Sequence, residues 1–151
     1  MEKYYYSYDE FKDDVKELVE LTKPYNADTY LAIARGGLTL GHFMANALDT
    51  RRLYTLNSIH YNGEEKLDTF DIFNVPSLDD AKRVLIIDDI IDSGETMREI
   101  IKLLKVKYPN TEFKTATIFY KTSAVLKADF ALKEAHEWID FFWEVDIINA
   151  K

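Results

Sequence analysis

The chain has 151 residues, of which 47% are hydrophobic, and a net charge of −8 at pH 7; that is material for one packed domain and not for two. The negative balance excludes a protein that coats nucleic acid or an anionic membrane, and the absence of cysteine excludes disulfide scaffolds, thiolate metal sites and thiol nucleophiles. No apolar run reaches the roughly 20 residues that cross a bilayer, and the Met1-Glu2-Lys3 start lacks the apolar segment of a signal peptide, so a cytoplasmic protein is expected.

From the N-terminus, Ser7 is followed three residues later by Glu10, a capping-box pattern. Phe11, Val15, Leu18, Val19 and Thr22 then recur on one helical face, and Pro24 and Asn26 close the helix. Tyr30 to Ala34 reads as a short buried strand, Arg35-Gly36-Gly37 as a turn, Leu38 to Leu48 as a helix and Leu53 to His60 as a strand. The stretch 61–81 holds Gly63, Pro76 and many acids with weak periodicity, which predicts a long loop of the kind that covers a site. Val84 to Ile87 is a continuous apolar run suited to a central strand covered on both faces.

Met97, Ile100, Ile101, Leu104 and Tyr108 predict a helix over Thr96 to Tyr108. Pro109-Asn110 is a turn, Thr115 to Tyr120 a strand, and Ala124 to Glu137 mixes helix and strand signals. The alternation predicts an α/β domain over 1–151, with a mostly parallel central sheet flanked by helices. Ligands of such sheets bind at the carboxyl ends of strands, which directs attention to the loops after Ala34, Ile87 and Tyr120.

The segment Val84 to Met97 carries the densest signal. An apolar strand runs into Asp88 and Asp89, and Asp92-Ser93-Gly94-Glu95-Thr96 then forms a tight loop that opens a helix. The loop amides, the helix dipole and the hydroxyls of Ser93 and Thr96 make a phosphate-sized anion cradle. Asp88 and Asp89 can bind ribose hydroxyls or a hydrated Mg²⁺. The same residue types also serve as an ordinary strand end and helix cap.

This segment resembles the signature that binds 5-phosphoribosyl 1-pyrophosphate (PRPP) in type I phosphoribosyltransferases. Three further segments are similar to that family. Ile33-Ala34-Arg35-Gly36-Gly37 is placed like its pyrophosphate loop, where glycine lets the backbone approach the diphosphate and Arg35 can bind it as a fork. Lys121 follows a strand where 6-oxopurine enzymes carry a lysine that donates to O6 of the base. Trp138-Ile139, with Trp143 beyond it, is similar to the tail of bacterial xanthine-guanine phosphoribosyltransferases, in which the aromatic stacks on the purine and the backbone near the isoleucine reads its 2-position.

The resemblance implies transfer of a phosphoribosyl group from PRPP to guanine, xanthine or hypoxanthine, giving a nucleoside 5′-monophosphate and pyrophosphate. It implies Mg²⁺ as cofactor, held by Asp89 and Asp88. Arg35, Gly36 and Lys66 would take pyrophosphate, and Ser93, Gly94, Glu95 and Thr96, with Asp92, would take the 5′-phosphate. Asp92 would also act at N7 as the proton acceptor, and Lys121, Trp138 and Ile139 would hold the base. A mobile loop at about 61–81, a base-binding hood at about 121–146 and a homodimer or homotetramer complete the expectation. Three features depart from the family's pattern: Phe141-Phe142 in the tail, Glu95 in the phosphate loop, and Ile59-His60-Tyr61 where the family's loop often begins Ser-Tyr. A PRPP-binding transcriptional or RNA-binding regulator without transferase activity, or a transferase for another base, is the alternative.

Overall fold

The computed structural model describes residues 2–61 and 69–148. Ser7 caps the first helix, α1 (Tyr8–Thr22), as its capping box predicts: its hydroxyl accepts from the amide of Glu10, and the Glu10 carboxylate accepts from the amide of Ser7. A short 3-10 turn over Lys23–Tyr25 follows, with Pro24 inside it and Asn26 in the left-handed region at its end. The chain then enters β2 (Thr29–Ala34), α2 (Leu38–Ala47) and β3 (Leu53–Tyr61), near the predicted bounds. Beyond them come β5 (Arg83–Ile91), α3 (Glu95–Lys107) and β6 (Glu112–Tyr120).

Four strands were not assigned from local pattern. β1 (Lys3–Tyr6) precedes α1 and pairs in parallel with β8 (Trp138–Phe141), at the far end of the chain. β4 (Thr69–Phe73) lies inside the stretch read as a loop and pairs antiparallel with β3. Within the 121–146 stretch, β7 (Phe130–Glu134) belongs to the edge of the main sheet, and a short helix, α4 (Phe142–Val145), follows β8. The central strand β5 also runs past the apolar segment and through the acids to Ile91, because Ile90 and Ile91 pair with Phe119 and Tyr120 of β6.

The main sheet has the order β4-β3-β2-β5-β6-β7, parallel except for β4. Alternation along β5 sends its side chains to two cores. Leu85 and Ile87 join Phe11, Leu18, Leu40 and Met44 of α1 and α2 on one face, and Val84 and Ile86 join Ile100 and Leu104 of α3 on the other. Residues such as Phe11 and Leu18 are wholly buried, and truncating one of this size costs about 3–5 kcal/mol. This double coverage places the carboxyl ends of β2, β5 and β6 side by side.

The opposite end of the sheet is tied by Asp28. Its carboxylate accepts from the amides of Lys82 and Arg83 at 3.0 and 2.9 Å and from the Thr29 hydroxyl at 2.8 Å. Burial works against its ionisation, but these donors and the nearby Arg52 outweigh it and hold its carboxyl below the ordinary value. Asp28→Ala is expected to lower stability at neutral pH by about 1–3 kcal/mol. A depressed carboxylate stabilises above its unfolded pKa and loses that contribution as pH falls through the folded one. The gap between wild type and variant should therefore narrow in acid, which urea unfolding at neutral and acid pH measures.

Candidate active site

Two strand ends and their loops meet at a cavity of about 280 Å³, lined by Arg35, Gly36, Asp88, Asp89, Asp92 and Thr96, among others. β2 and β5 are sheet neighbours, with Ala32 opposite Ile87, so the turn after β2 lands on the acids of β5. The Ala34–Arg35 peptide is cis. The approach of Gly36 is extreme: a Cβ there would lie 2.6 Å from the Asp89 carboxylate. Only glycine lets the turn and the acid occupy adjacent space.

The loop after β5 turns at Gly94, whose φ of 82° is left-handed and whose Cβ position would fall 2.8 Å from the amide nitrogen of Leu126. The Ser93 carbonyl accepts from the amide of Val125 at 2.8 Å, so the 124–126 segment braces the loop from outside. Ser93 Oγ accepts from the amide of Glu95, and the Gly94 carbonyl accepts from the amide of Arg98 as α3 begins. Ser93, Gly94 and Thr96 line the cavity with a helix N-terminus behind them. Glu95 is not part of that wall.

Asp89 is buried and Asp88 half-buried in the site. The amide of Asp89 donates to Asp88 Oδ1 at 2.9 Å, and the amide of Ile90 donates to Asp89 Oδ1 at 2.7 Å. Burial pushes both carboxyls up from the usual range, and the neighbouring Asp89 charge pushes Asp88 further. Among the described residues no group of three or more His, Asp or Glu side chains could hold a metal alone. A cation at the Asp88-Asp89 pair would take its remaining ligands from water and substrate oxygens, which suits Mg²⁺.

A second cavity of about 330 Å³ adjoins the first and shares Asp89, Ile90 and Asp92 with it. Lys121, Trp138, Ile139 and Glu144 line it. Lys121 is held at the strand end by the hydrogen bond that its backbone amide donates to the Ile91 carbonyl, and its ammonium lies 2.8 Å from Asp92 Oδ1. Trp138 is half exposed at the rim, and Ile139 is buried. The structure thus gathers Arg35, Gly36, Asp88, Asp89, Asp92, Ser93, Gly94, Thr96, Lys121, Trp138 and Ile139 around two joined cavities; Lys66 lies outside the described residues.

Ser58, His60 and Glu144 also line these walls without having been assigned a role from sequence. His60 stacks on Phe70, its cross-strand neighbour, at 4.2 Å between ring centroids. The usable signal for Ser58 and His60 was their place at the carboxyl end of β3, beside the end of β2.

A family model described as phosphoribosyl transferase domain matches residues 5–148. The chain belongs to the phosphoribosyltransferase family. It superposes on the xanthine-guanine-hypoxanthine phosphoribosyltransferase of Helicobacter pylori with a TM-score of 0.91 and 39% identity, covering 99% of this chain and 98% of that one. A purine phosphoribosyltransferase from Pyrococcus horikoshii matches with a TM-score of 0.82 and 27% identity, over 95% of both chains. A xanthine-guanine phosphoribosyltransferase of Cereibacter sphaeroides is 30% identical over 120 residues, which are 76% of this chain and 68% of that protein. The phosphoribosyltransferase fold therefore arranges a mostly parallel sheet, flanking helices and a small hood around this pair of cavities.

Gly36→Ala tests the contact between turn and acid. The variant is expected to fold, with a loss of about 1–3 kcal/mol by urea unfolding. Its phosphoribosyl transfer should fall about 100-fold, because an ångström of displacement at a reacting centre has that effect.

Proposed function

We propose that this phosphoribosyltransferase moves the phosphoribosyl group of PRPP to a 6-oxopurine, releasing pyrophosphate and a nucleoside 5′-monophosphate. The reading rests on one observation above all. The anion cradle and the Lys121 cavity are joined through Asp89 and Asp92, so a ribose between them would present C1 to both the leaving group and the base. Relatives named for xanthine, guanine and hypoxanthine support the choice of base.

In this reading Ser93, Gly94 and Thr96, with the amides of the Asp92–Thr96 loop, bind the 5′-phosphate. That remote contact positions the ribose. Arg35 and the backbone at Gly36 receive the pyrophosphate and stabilise the negative charge that grows on it. Asp88 and Asp89 hold the ribose hydroxyls and would hold Mg²⁺, which when bound supplies further positive charge against the leaving group. Asp92 faces N7 of the base and accepts its proton. Lys121, tethered by Asp92, donates to O6; an ammonium has no acceptor for the 6-amino group of adenine. Trp138 stacks on the ring and the backbone at Ile139 reads its 2-position.

Transfer without hydrolysis requires that water be excluded while the bond breaks. That role is assigned to the stretch after Tyr61, and Lys66 within it is assigned to pyrophosphate. The protein is read as a cytoplasmic salvage enzyme that assembles as a homodimer or homotetramer. Exposed Tyr8, Leu38 and Val106 supply apolar surface for such contacts.

The decisive assay supplies PRPP, Mg²⁺ and a panel of guanine, xanthine, hypoxanthine, adenine and uracil. Nucleotide should form from 6-oxopurines and not from adenine. PRPP binding without turnover of any base would favour the regulator reading. Asp92→Asn should lower kcat at least about 100-fold while changing the affinity for PRPP little; an unchanged kcat removes Asp92 from the proton transfer. Lys121→Ala should lose discrimination against adenine, read as the ratio of kcat/KM values for hypoxanthine and adenine.

A further inference from the structure

Three consecutive tyrosines of β1 each donate a hydroxyl to a carboxylate. Tyr4 donates to Glu10, Tyr6 to Asp14 at 2.5 Å, and Tyr5, on the other face, to Asp146 at 2.9 Å. Glu10 and Asp14 are one turn apart on α1, a spacing of about 6 Å, and Tyr4 and Tyr6 are one strand period apart, about 6.6 Å. Helix and strand therefore mesh in a single register. Lys133 of β7 closes the cluster. Its ammonium lies 2.9 Å from Asp14 Oδ2 and 5.6 Å from the centre of the Tyr6 ring, and its charge also reaches Glu10. The Asp14 side chain is only 7% exposed, so removing one of these partners leaves a buried polar group without it.

The cluster borders a second space under the hood. A cavity of about 360 Å³ is lined by Tyr4, Phe119, Lys133 and Ile139, among others. His136, Glu137 and Ile139 border both this cavity and the one that holds Lys121. The 136–139 segment is thus a thin wall with open space on each side. Ile139 alone of the wall is packed in the core; His136, Glu137 and Trp138 are not buried, and their place depends on the segment's attachments. One attachment is β1, which pairs Lys3 with Trp138 and Tyr4 with Ile139. The other is β7, where Lys133 is the register partner of Phe119, two residues before Lys121. Both attachments converge on the tyrosine–carboxylate–lysine cluster.

We infer that Tyr4, Tyr6, Glu10, Asp14 and Lys133 are positioning residues for the base, which set Trp138 and Ile139 at the separation from Lys121 that a purine requires. The inference rests on the second cavity being the base site. It differs from a stability role in one respect: it acts on the base end of the reaction and spares the phosphate end, whose residues stand on β2, β5 and α3.

The test uses Tyr6→Phe, which removes one hydroxyl, with Lys133→Met and Lys133→Arg. Tyr6→Phe and Lys133→Met are expected to raise the KM for guanine about tenfold, with the KM for PRPP and kcat at saturating guanine within about twofold of wild type. Lys133→Arg should restore the guanine KM, since it returns a cation to Asp14. Stabilisation by PRPP, read as a rise in Tm, should persist in all three. A Tyr6→Phe protein with a lowered Tm and an unchanged guanine KM overturns the inference and leaves the cluster a structural one. If Lys133→Met does not fold, Tyr6→Phe carries the same test alone. Absence of turnover by the wild-type protein with any purine, while PRPP still raises Tm, overturns the base-site reading itself and the inference with it.

Discussion

The site depends on the close approach of the turn after β2 to β5: a Cβ at Gly36 would meet the carboxylate of Asp89, and one at Gly37 would meet the Ile87 carbonyl oxygen. The 2.6 Å separation from the position a Cβ would take means that the turn after β2 and the acid in β5 form one continuous surface. Their adjacency is a property of the sheet, because β2 and β5 pair in parallel with Ala32 opposite Ile87. Once those two strands are side by side, the anion-binding turn, the acid pair and the amide cradle of α3 converge. No loop has to reach across the molecule to complete them.

A chain with a net charge of −8 must bind a substrate crowded with phosphate. The proposed binding mode would do so by separating the two kinds of charge. Phosphate oxygens would meet amides, hydroxyls and a helix N-terminus, which carry partial positive charge whatever the field of the whole molecule. Asp88, Asp89 and Asp92 lie between those proposed subsites, where ribose hydroxyls and a cation are expected. Burial makes ionisation of Asp88 and Asp89 costly; a divalent ion between them would offset that cost, so the unfavourable desolvation of the acids becomes affinity for metal.

Much of this was legible in the sequence, for a physical reason. The elements that emerged were those whose signal is local: the capping box of α1, the apolar run of β5, and the periodicity of α3. The phosphate loop, the acid pair and the Arg35-Gly36 turn are contiguous motifs, and they too could be read. β1 could not, because its partner β8 lies more than a hundred residues away and four residues of Lys and Tyr carry no period. β4 escaped because its five residues alternate at an edge, between stretches of acidic sequence. β7 is half-buried throughout and has no clean alternation. Ser58, His60 and Glu144 reach the site through sheet order and the hood, which no local spacing encodes.

The two ends of the site are built with different rigidity, and that difference has a consequence for specificity. The end proposed for phosphate stands on β2 and β5, the central strands, with packed cores on both faces. The end proposed for the base includes β8, one of a pair of short strands outside the main sheet, with a cavity on either side of its approach. Interactions in a packed core resist displacement, whereas a wall set by a few polar contacts can shift by fractions of an ångström at small cost. Changes in the hood can therefore alter which purine fits while the chemistry of bond breaking at the ribose is preserved. A fold that divides its labour in this way can retune its base without rebuilding its phosphate site.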